Sequence, residues 1–243
     1  MTPRSVSIIM PAFNAEKHIE QTIERISADL WQLVRNIWVI NDGSVDKTGA
    51  IVDAMAITKG EIRPVHFKQN LGYGAALKKG LMLCKDDGCL AAVCLHADGQ
   101  YPPEAICHGV DAMVAGAIDI LQGSRIASGT ALSGGMPLYK FIANKTLTFL
   151  ENRVFGLSLT DYHSGMLFYG RKALDALPFA TFSDSFDFDV EVIACGRAKG
   201  LSIGEIPIPT RYGTEISHVR SIPYGFRVVN VLLKYATGRY CSL

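Results

Sequence analysis

A repeated change of period runs through this sequence and leaves few folds open to it. A short apolar run of strand length gives way to a polar tip, and the tip to a stretch with apolar residues three and four apart. Residues 5–13 (SVSIIMPAF) are the first run; Ile19, Ile23, Ile26, Leu30 and Leu33 follow at helical spacing and predict one long amphipathic helix. The pattern returns at 36–41 (NIWVIN) before a helix over about 48–57, and at 62–67 before a helix over 75–84. It returns again at 91–95 before a helix over 104–115, and at 119–123. Strands and helices alternating across short joints predict a mostly parallel central sheet covered on both faces, an α/β fold. In such open sheets ligands bind beyond the carboxyl ends of the strands.

Polar side chains collect at those ends. Asn14 follows the first run, Asp42 the second, and Asp98 and Gln100 the run in residues 91–104, AAVCLHADGQYPPE. Oxygen donors at a strand tip suit a hard divalent cation, Mg²⁺ or Mn²⁺, that could hold a diphosphate. The same Asp-Gly-Gln also fits an ordinary turn in which Asp98 bonds local backbone. A cleft shared by the tips is the simplest use of all three clusters.

The chain has 243 residues, enough for one large α/β domain or two small ones. With 49% hydrophobic and 19% charged residues it is not a disordered chain. A net charge of +1 lacks the basic excess that nucleic-acid binding leaves, so no nucleic-acid partner is expected. Cys84, Cys89, Cys94, Cys107, Cys195 and Cys241 show no CxxC spacing and read as reduced, mostly buried thiols of a cytosolic protein. No signal-peptide pattern opens the sequence, and no apolar run reaches the ~18 residues of a membrane span.

The second half holds two amphipathic stretches. Residues 137–155 form a helical pattern with Leu138, Phe141, Ile142, Phe149 and Leu150 on one side and Lys140, Lys145 and Arg153 interspersed. Residues 224–235 (YGFRVVNVLLKY) form a second. Both suit an ordinary surface helix, an interfacial helix that meets lipid, or the pairing of two chains. Between them, 161–165 (DYHSG) precedes a strand at 166–169, and 186–191 (FDFDVE) leads into a helix. Residues 201–209 (LSIGEIPIP) read as an edge strand, because prolines remove ladder donors.

Taken in order, PAFNAE (11–16), NDGSVDKT (41–48), NLGYGAALKKG (70–80), HADGQYPPE, GSR (123–125), DYHSG, FDFDVEV and EIPIPTRY (205–212) resemble the family 2 glycosyltransferases of the GT-A fold. The likeness is to the branch with dolichyl-phosphate mannose synthase and bacterial polyprenyl-phosphate glycosyltransferases. Each motif is weak alone; their shared order is specific. The resemblance implies a GT-A domain over 1–217, with a nucleotide-sugar half (1–125) and an acceptor half (126–217), followed by an amphipathic segment at 218–243.

It also implies roles. A UDP- or GDP-hexose is the donor, with Pro11, Phe13, Asn14 and Asp42 lining the base and ribose pocket. Asp98, with Gln100 beside it, holds Mg²⁺ or Mn²⁺ and the diphosphate. Arg125 meets a phosphate, and Asp161, Ser164 and Arg211 shape the acceptor end. The implied activity is an inverting hexosyl transfer, most readily to polyprenyl phosphate at the cytoplasmic membrane face. A saccharide hydroxyl acceptor and a catalytically impaired nucleotide-binding module are the alternatives. A hydroxyl acceptor requires a base, for which Asp187, Asp189 and Glu191 stand available, Asp189 foremost. Two positions depart from the family pattern: His96 and Ala15 stand where acids are common, and His96 puts metal dependence in question.

Overall fold

The computed structural model describes residues 2–209 and 221–242. Seven strands form one sheet in the order β3-β2-β1-β4-β6-β5-β7. They are β1 (Val6–Ala12), β2 (Val34–Asn41), β3 (Ile62–His66), β4 (Ala91–Cys94), β5 (Ile120–Ser124), β6 (Leu167–Gly170) and β7 (Ile203–Pro207). All neighbours pair parallel except β6, which runs against both β4 and β5. The α/β reading and the mostly parallel sheet are borne out. So is the edge strand at 201–209, as β7. The other edge, β3, also contains a proline, Pro64, where a missing ladder donor costs least. Pro11 sits inside the sheet, but beyond the point where β1 stops pairing with β4, at Ile9 opposite Cys94.

Apolar side chains alternate across β1 and fill a core on each face. Ile8 and Met10 join one cluster with Val39, Val93 and Phe168; Ile9 joins the other with Leu77, Tyr169 and Phe188. The second face is covered by α4 (Tyr73–Asp87), α7 (Arg171–Ala176), α8 (Phe188–Ala198) and α9 (Ser221–Ala236). The first is covered by α1 (Ile19–Glu24), α2 (Ala28–Leu33), α3 (Thr48–Thr58) and α5 (Ala105–Gly116). α6 (Leu138–Phe155) packs beside α9.

The single long helix expected after β1 is instead two. Ser27 accepts the amide of Leu30 on its hydroxyl at 3.2 Å and starts α2 afresh, so the chain turns between Glu24 and Ala28. Ile19, Ile23, Ile26 and Leu30 are all buried as their spacing demanded, while Leu33 packs at the margin. The thiols are all free, and four of the six are buried.

Two features position the site. The order β3-β2-β1-β4 changes direction between β1 and β4, which opens a crevice at their carboxyl ends. Because β6 is antiparallel, the loop before it arrives at the same edge as the ends of β4 and β5.

Candidate active site

His96 and Asp98 leave the end of β4. Oδ1 of Asp98 accepts the amide of Gln100 at 3.0 Å, so the turn reading of this stretch is realised while the second carboxylate oxygen remains for other use. The turn is anchored from behind. Thr22 donates its hydroxyl to the carbonyl of Ala97, and Arg25 donates to the carbonyl of Gly99 while pairing with Glu104. Burial lowers the pKa of His96, and the opposing pull of Asp98 does not restore it, so the ring is neutral.

The tips of β1 and β2 are laced together beside it. Ser44 accepts the amide of Asn14, and Asn14 accepts the amide of Val45 on its side-chain oxygen. Asn14 holds a left-handed φ of 51°, which asparagine tolerates. Phe13 is partly exposed next to it. Asp42 is buried and does not cap the following helix. Its two oxygens accept the amides of Leu71 and Gly72 at 2.7 and 2.9 Å, which fixes the glycine loop that opens α4. Gly72 has φ 105°, and a side chain there would strike the carbonyl of Asp184.

Arg125 follows β5, and Asp161, His163 and Ser164 precede β6. The Asp161 carboxylate accepts Nε of Arg125 at 2.9 Å and Nη2 at 3.3 Å, and Nη2 also reaches the carbonyl of His163 at 2.8 Å. Asn144 of α6 donates to the same carboxylate at 2.8 Å. Tyr224 of α9 holds Nδ1 of His163 at 2.8 Å, and Nε2 of His163 lies 3.2 Å from Oε2 of buried Glu151, off the line that a hydrogen bond requires. Ser164 is buried, and its carbonyl accepts Gln122. Arg211 lies outside the described residues.

The three acids around the start of α8 separate by partner. Asp187 accepts Ser183 and faces Arg227; Glu191 accepts Lys234 and Tyr240, both at 2.7 Å. These two tie the C-terminal segment to the core. Asp189 alone meets Tyr73, whose hydroxyl donates to its Oδ2 at 2.9 Å. Asp189 is 6% exposed, behind Tyr73. Burial raises its pKa to about 7, against the lowering effect of the Tyr73 hydroxyl. A carboxyl raised above its unfolded value of about 3.9 destabilises the fold as pH climbs from that value to about 7. Asp189→Asn is therefore expected to melt a few degrees above the parent at pH 8 and to lose that advantage at pH 5, measured by thermal denaturation.

Tyr73, Tyr101, Asn144 and Tyr224 were not singled out by the sequence. Tyr73 had one signal, an aromatic ring set among the glycines of NLGYG. Tyr101 bonds the amide of Gly165 through its hydroxyl at 2.9 Å and packs edge-on against His96. Among the described residues no three His, Cys, Asp or Glu side chains converge as a closed metal site. A carboxylate with a spare oxygen beside a neutral imidazole fits a cation that completes its shell with phosphate oxygens and water.

The family description Glycosyl transferase family 2 matches residues 7–177, more than half of the chain. The chain belongs to glycosyl transferase family 2. This family 2 enzyme is 27% identical to the UDP-N-acetylglucosamine–dolichyl-phosphate N-acetylglucosaminyltransferase of Methanococcus voltae, over 98% of the chain and 99% of the relative. It is 28% identical to the polyprenol monophosphomannose synthase of Mycolicibacterium smegmatis, over 83% of the chain and 75% of the relative. Its fold matches glucosyl-3-phosphoglycerate synthase of Mycobacterium tuberculosis, solved with UDP, at a TM-score of 0.73 and 21% identity, covering 96% of this chain and 80% of that one. The same synthase was solved with UDP and Mn²⁺, and with UDP and Mg²⁺. The GT-A architecture expected of the family 2 enzyme is thus borne out.

Proposed function

We propose that the enzyme moves a hexose from a UDP- or GDP-sugar to polyprenyl phosphate, with inversion, while docked on a membrane surface. The observation that carries this is the inverted build of α6. Its buried positions include Asn144, Thr148 and Glu151, whereas Leu138, Tyr139, Ile142, Phe149 and Leu150 are exposed. α9 beside it exposes Ile222, Phe226, Val229 and Leu233, one stripe at helical spacing. Lys145 lies over Phe141 and Arg153 over Phe149, as suits the boundary between acyl chains and anionic headgroups. The inward faces of these helices, through Asn144 and Tyr224, grip the loop that holds Arg125. The exposed apolar surface and the contacts that steady Arg125 therefore come from the same two helices. No helix among the described residues is long and apolar enough to cross a membrane.

In this reading Pro11, Phe13, Asn14 and Asp42 wall the base and ribose. The carboxylate oxygens of Asp42 each keep a lone pair after binding the glycine loop. Asp98, with Gln100 beside it, would hold Mg²⁺ or Mn²⁺ on the diphosphate, and such a cation neutralises charge on the departing nucleoside diphosphate. Arg125, oriented by Asp161, meets the acceptor phosphate, with Ser164 and Arg211 at the acceptor end. A lipid phosphate is already anionic and needs no base, which agrees with Asp189 lying behind Tyr73. A saccharide hydroxyl would need one.

The test is a panel of labelled UDP- and GDP-hexoses with polyprenyl phosphate and with saccharide acceptors. Lipid-linked product from one donor supports the reading; product only on saccharides, or none, overturns it. For the membrane, Ile222→Glu combined with Phe226→Glu is expected to cut co-sedimentation with anionic vesicles at least tenfold while leaving the melting temperature unchanged. If the apolar stripes instead pair two chains, the same variant will change the sedimentation coefficient without changing vesicle binding.

A further inference from the structure

His96 occupies a position where an acid is expected, and its surroundings determine what it offers instead. Its Nε2 lies 3.2 Å from the hydroxyl of Tyr73, and that hydroxyl donates to Oδ2 of Asp189 at 2.9 Å. A phenol has one proton. Once it is given to Asp189, the oxygen of Tyr73 can only accept, so Nε2 of His96 carries the hydrogen and donates it. The neutral ring then holds a lone pair on Nδ1. Nδ1 has no hydrogen-bond partner among the described residues. Turning the ring over would put Cε1 where Nε2 meets Tyr73 and forfeit that hydrogen bond. Gly165 backs it so closely that an added Cβ would collide with Nε2 and Cε1, and Tyr101 packs against the ring at 4.9 Å between centroids.

We propose that His96 offers Nδ1 to the same cation as Asp98, and that Tyr73 and Asp189 are positioning residues that fix this tautomer. Metal-bound histidines are commonly held in this way, the far nitrogen donating toward a carboxylate, here through an intervening hydroxyl. The consequence is selectivity. An imidazole nitrogen disfavours Mg²⁺, a hard ion that keeps its water, and favours first-row transition ions in the order Co²⁺ above Mn²⁺. The chain should therefore bind Co²⁺ and Mn²⁺ more tightly than Mg²⁺. This rests on reading Asp98 as the carboxylate ligand.

The experiment uses the full chain with Mn²⁺ and UDP or GDP at pH 8, followed by pulsed electron paramagnetic resonance. The expected result is nitrogen-14 modulation of the bound Mn²⁺ signal from one imidazole. His96→Asp should still bind Mn²⁺ with nucleotide but lose the modulation, and its Mn²⁺-to-Mg²⁺ affinity ratio should fall at least tenfold. Tyr73→Phe, which removes the hydroxyl and frees the tautomer, should weaken Mn²⁺ binding several-fold at unchanged Mg²⁺ affinity. Bound Mn²⁺ without nitrogen modulation in the parent protein overturns the inference while leaving the nucleotide-sugar reading in place, and it needs no variant to fold. An unchanged affinity ratio in His96→Asp overturns it too. Failure of Mn²⁺ to bind with either nucleotide overturns both.

Discussion

Asp161→Ala is expected to cost the fold about 3–5 kcal/mol, the range for breaking a buried ion pair by removing one partner. Asp161 is fully buried, and its carboxylate accepts Nε and Nη2 of Arg125, the backbone amides of Arg125 and His163, and Asn144. The side chain of Arg125 is 11% exposed, so deletion removes the countercharge of a guanidinium that water cannot reach well. Burial alone would raise the pKa of Asp161, but Arg125 and the other donors outweigh it, and the net shift is downward. A carboxyl held below its unfolded value stabilises the fold above about pH 4 and loses that contribution only as pH falls through the folded value. The deficit of Asp161→Ala should accordingly be the same at pH 6 and pH 8 and shrink only in acid. Urea denaturation at these pH values measures it, and a loss below about 1 kcal/mol would mean that the pair is dispensable. Arg125→Ala in the Asp161→Ala background should cost less than Arg125→Ala alone, because the ion pair between them is already gone.

This pair also shows where sequence reading stops. The strand tips with Asn14, Asp42 and Asp98 were legible, because apolar runs ending in polar residues set both the sheet and the edge at which its carboxyl ends gather. Arg125 and Asp161 were picked out through motif resemblance, but not as partners of each other. They are 36 positions apart and meet only because β6 reverses direction between β4 and β5. No local pattern marks a strand as antiparallel. The break between α1 and α2 was hidden for a different reason: the buried isoleucines keep helical spacing across it, and a single serine hydroxyl outbids continuation.

The acids of FDFDVE make the same point at finer scale. Asp187, Asp189 and Glu191 alternate in sequence, yet on a helix residues two apart point to nearly opposite sides. Two of them fasten α9 and the segment after it, and one reaches Tyr73. Which is which depends on what packs against α8, and that is tertiary information. α6 was misleading in a useful way. Its apolar residues were plain in the sequence, but that they face outward while Asn144 and Glu151 face inward follows only from where α9 and residues 161–163 lie.

Asp98→Ala is expected to lower kcat/KM about 10³-fold, near 4 kcal/mol of transition-state stabilisation. In the proposed reading the effect is large because His96 supplies no negative charge, so Asp98 would be the one carboxylate of the HAD segment available to a diphosphate-bound cation. It should fall on binding as well, with Mn²⁺ affinity in the presence of UDP or GDP dropping in parallel. Folding should be spared: Asp98 is partly exposed, and its one internal bond among the described residues is a turn contact with the amide of Gln100. Asp98→Asn separates the two roles. Its amide oxygen keeps the turn and discards the charge, so a similar loss of activity at an unchanged melting temperature assigns the effect to the charge. Recovery to within tenfold of the parent in Asp98→Asn would assign it to the turn instead, and the catalytic reading of the β4 tip would then fail.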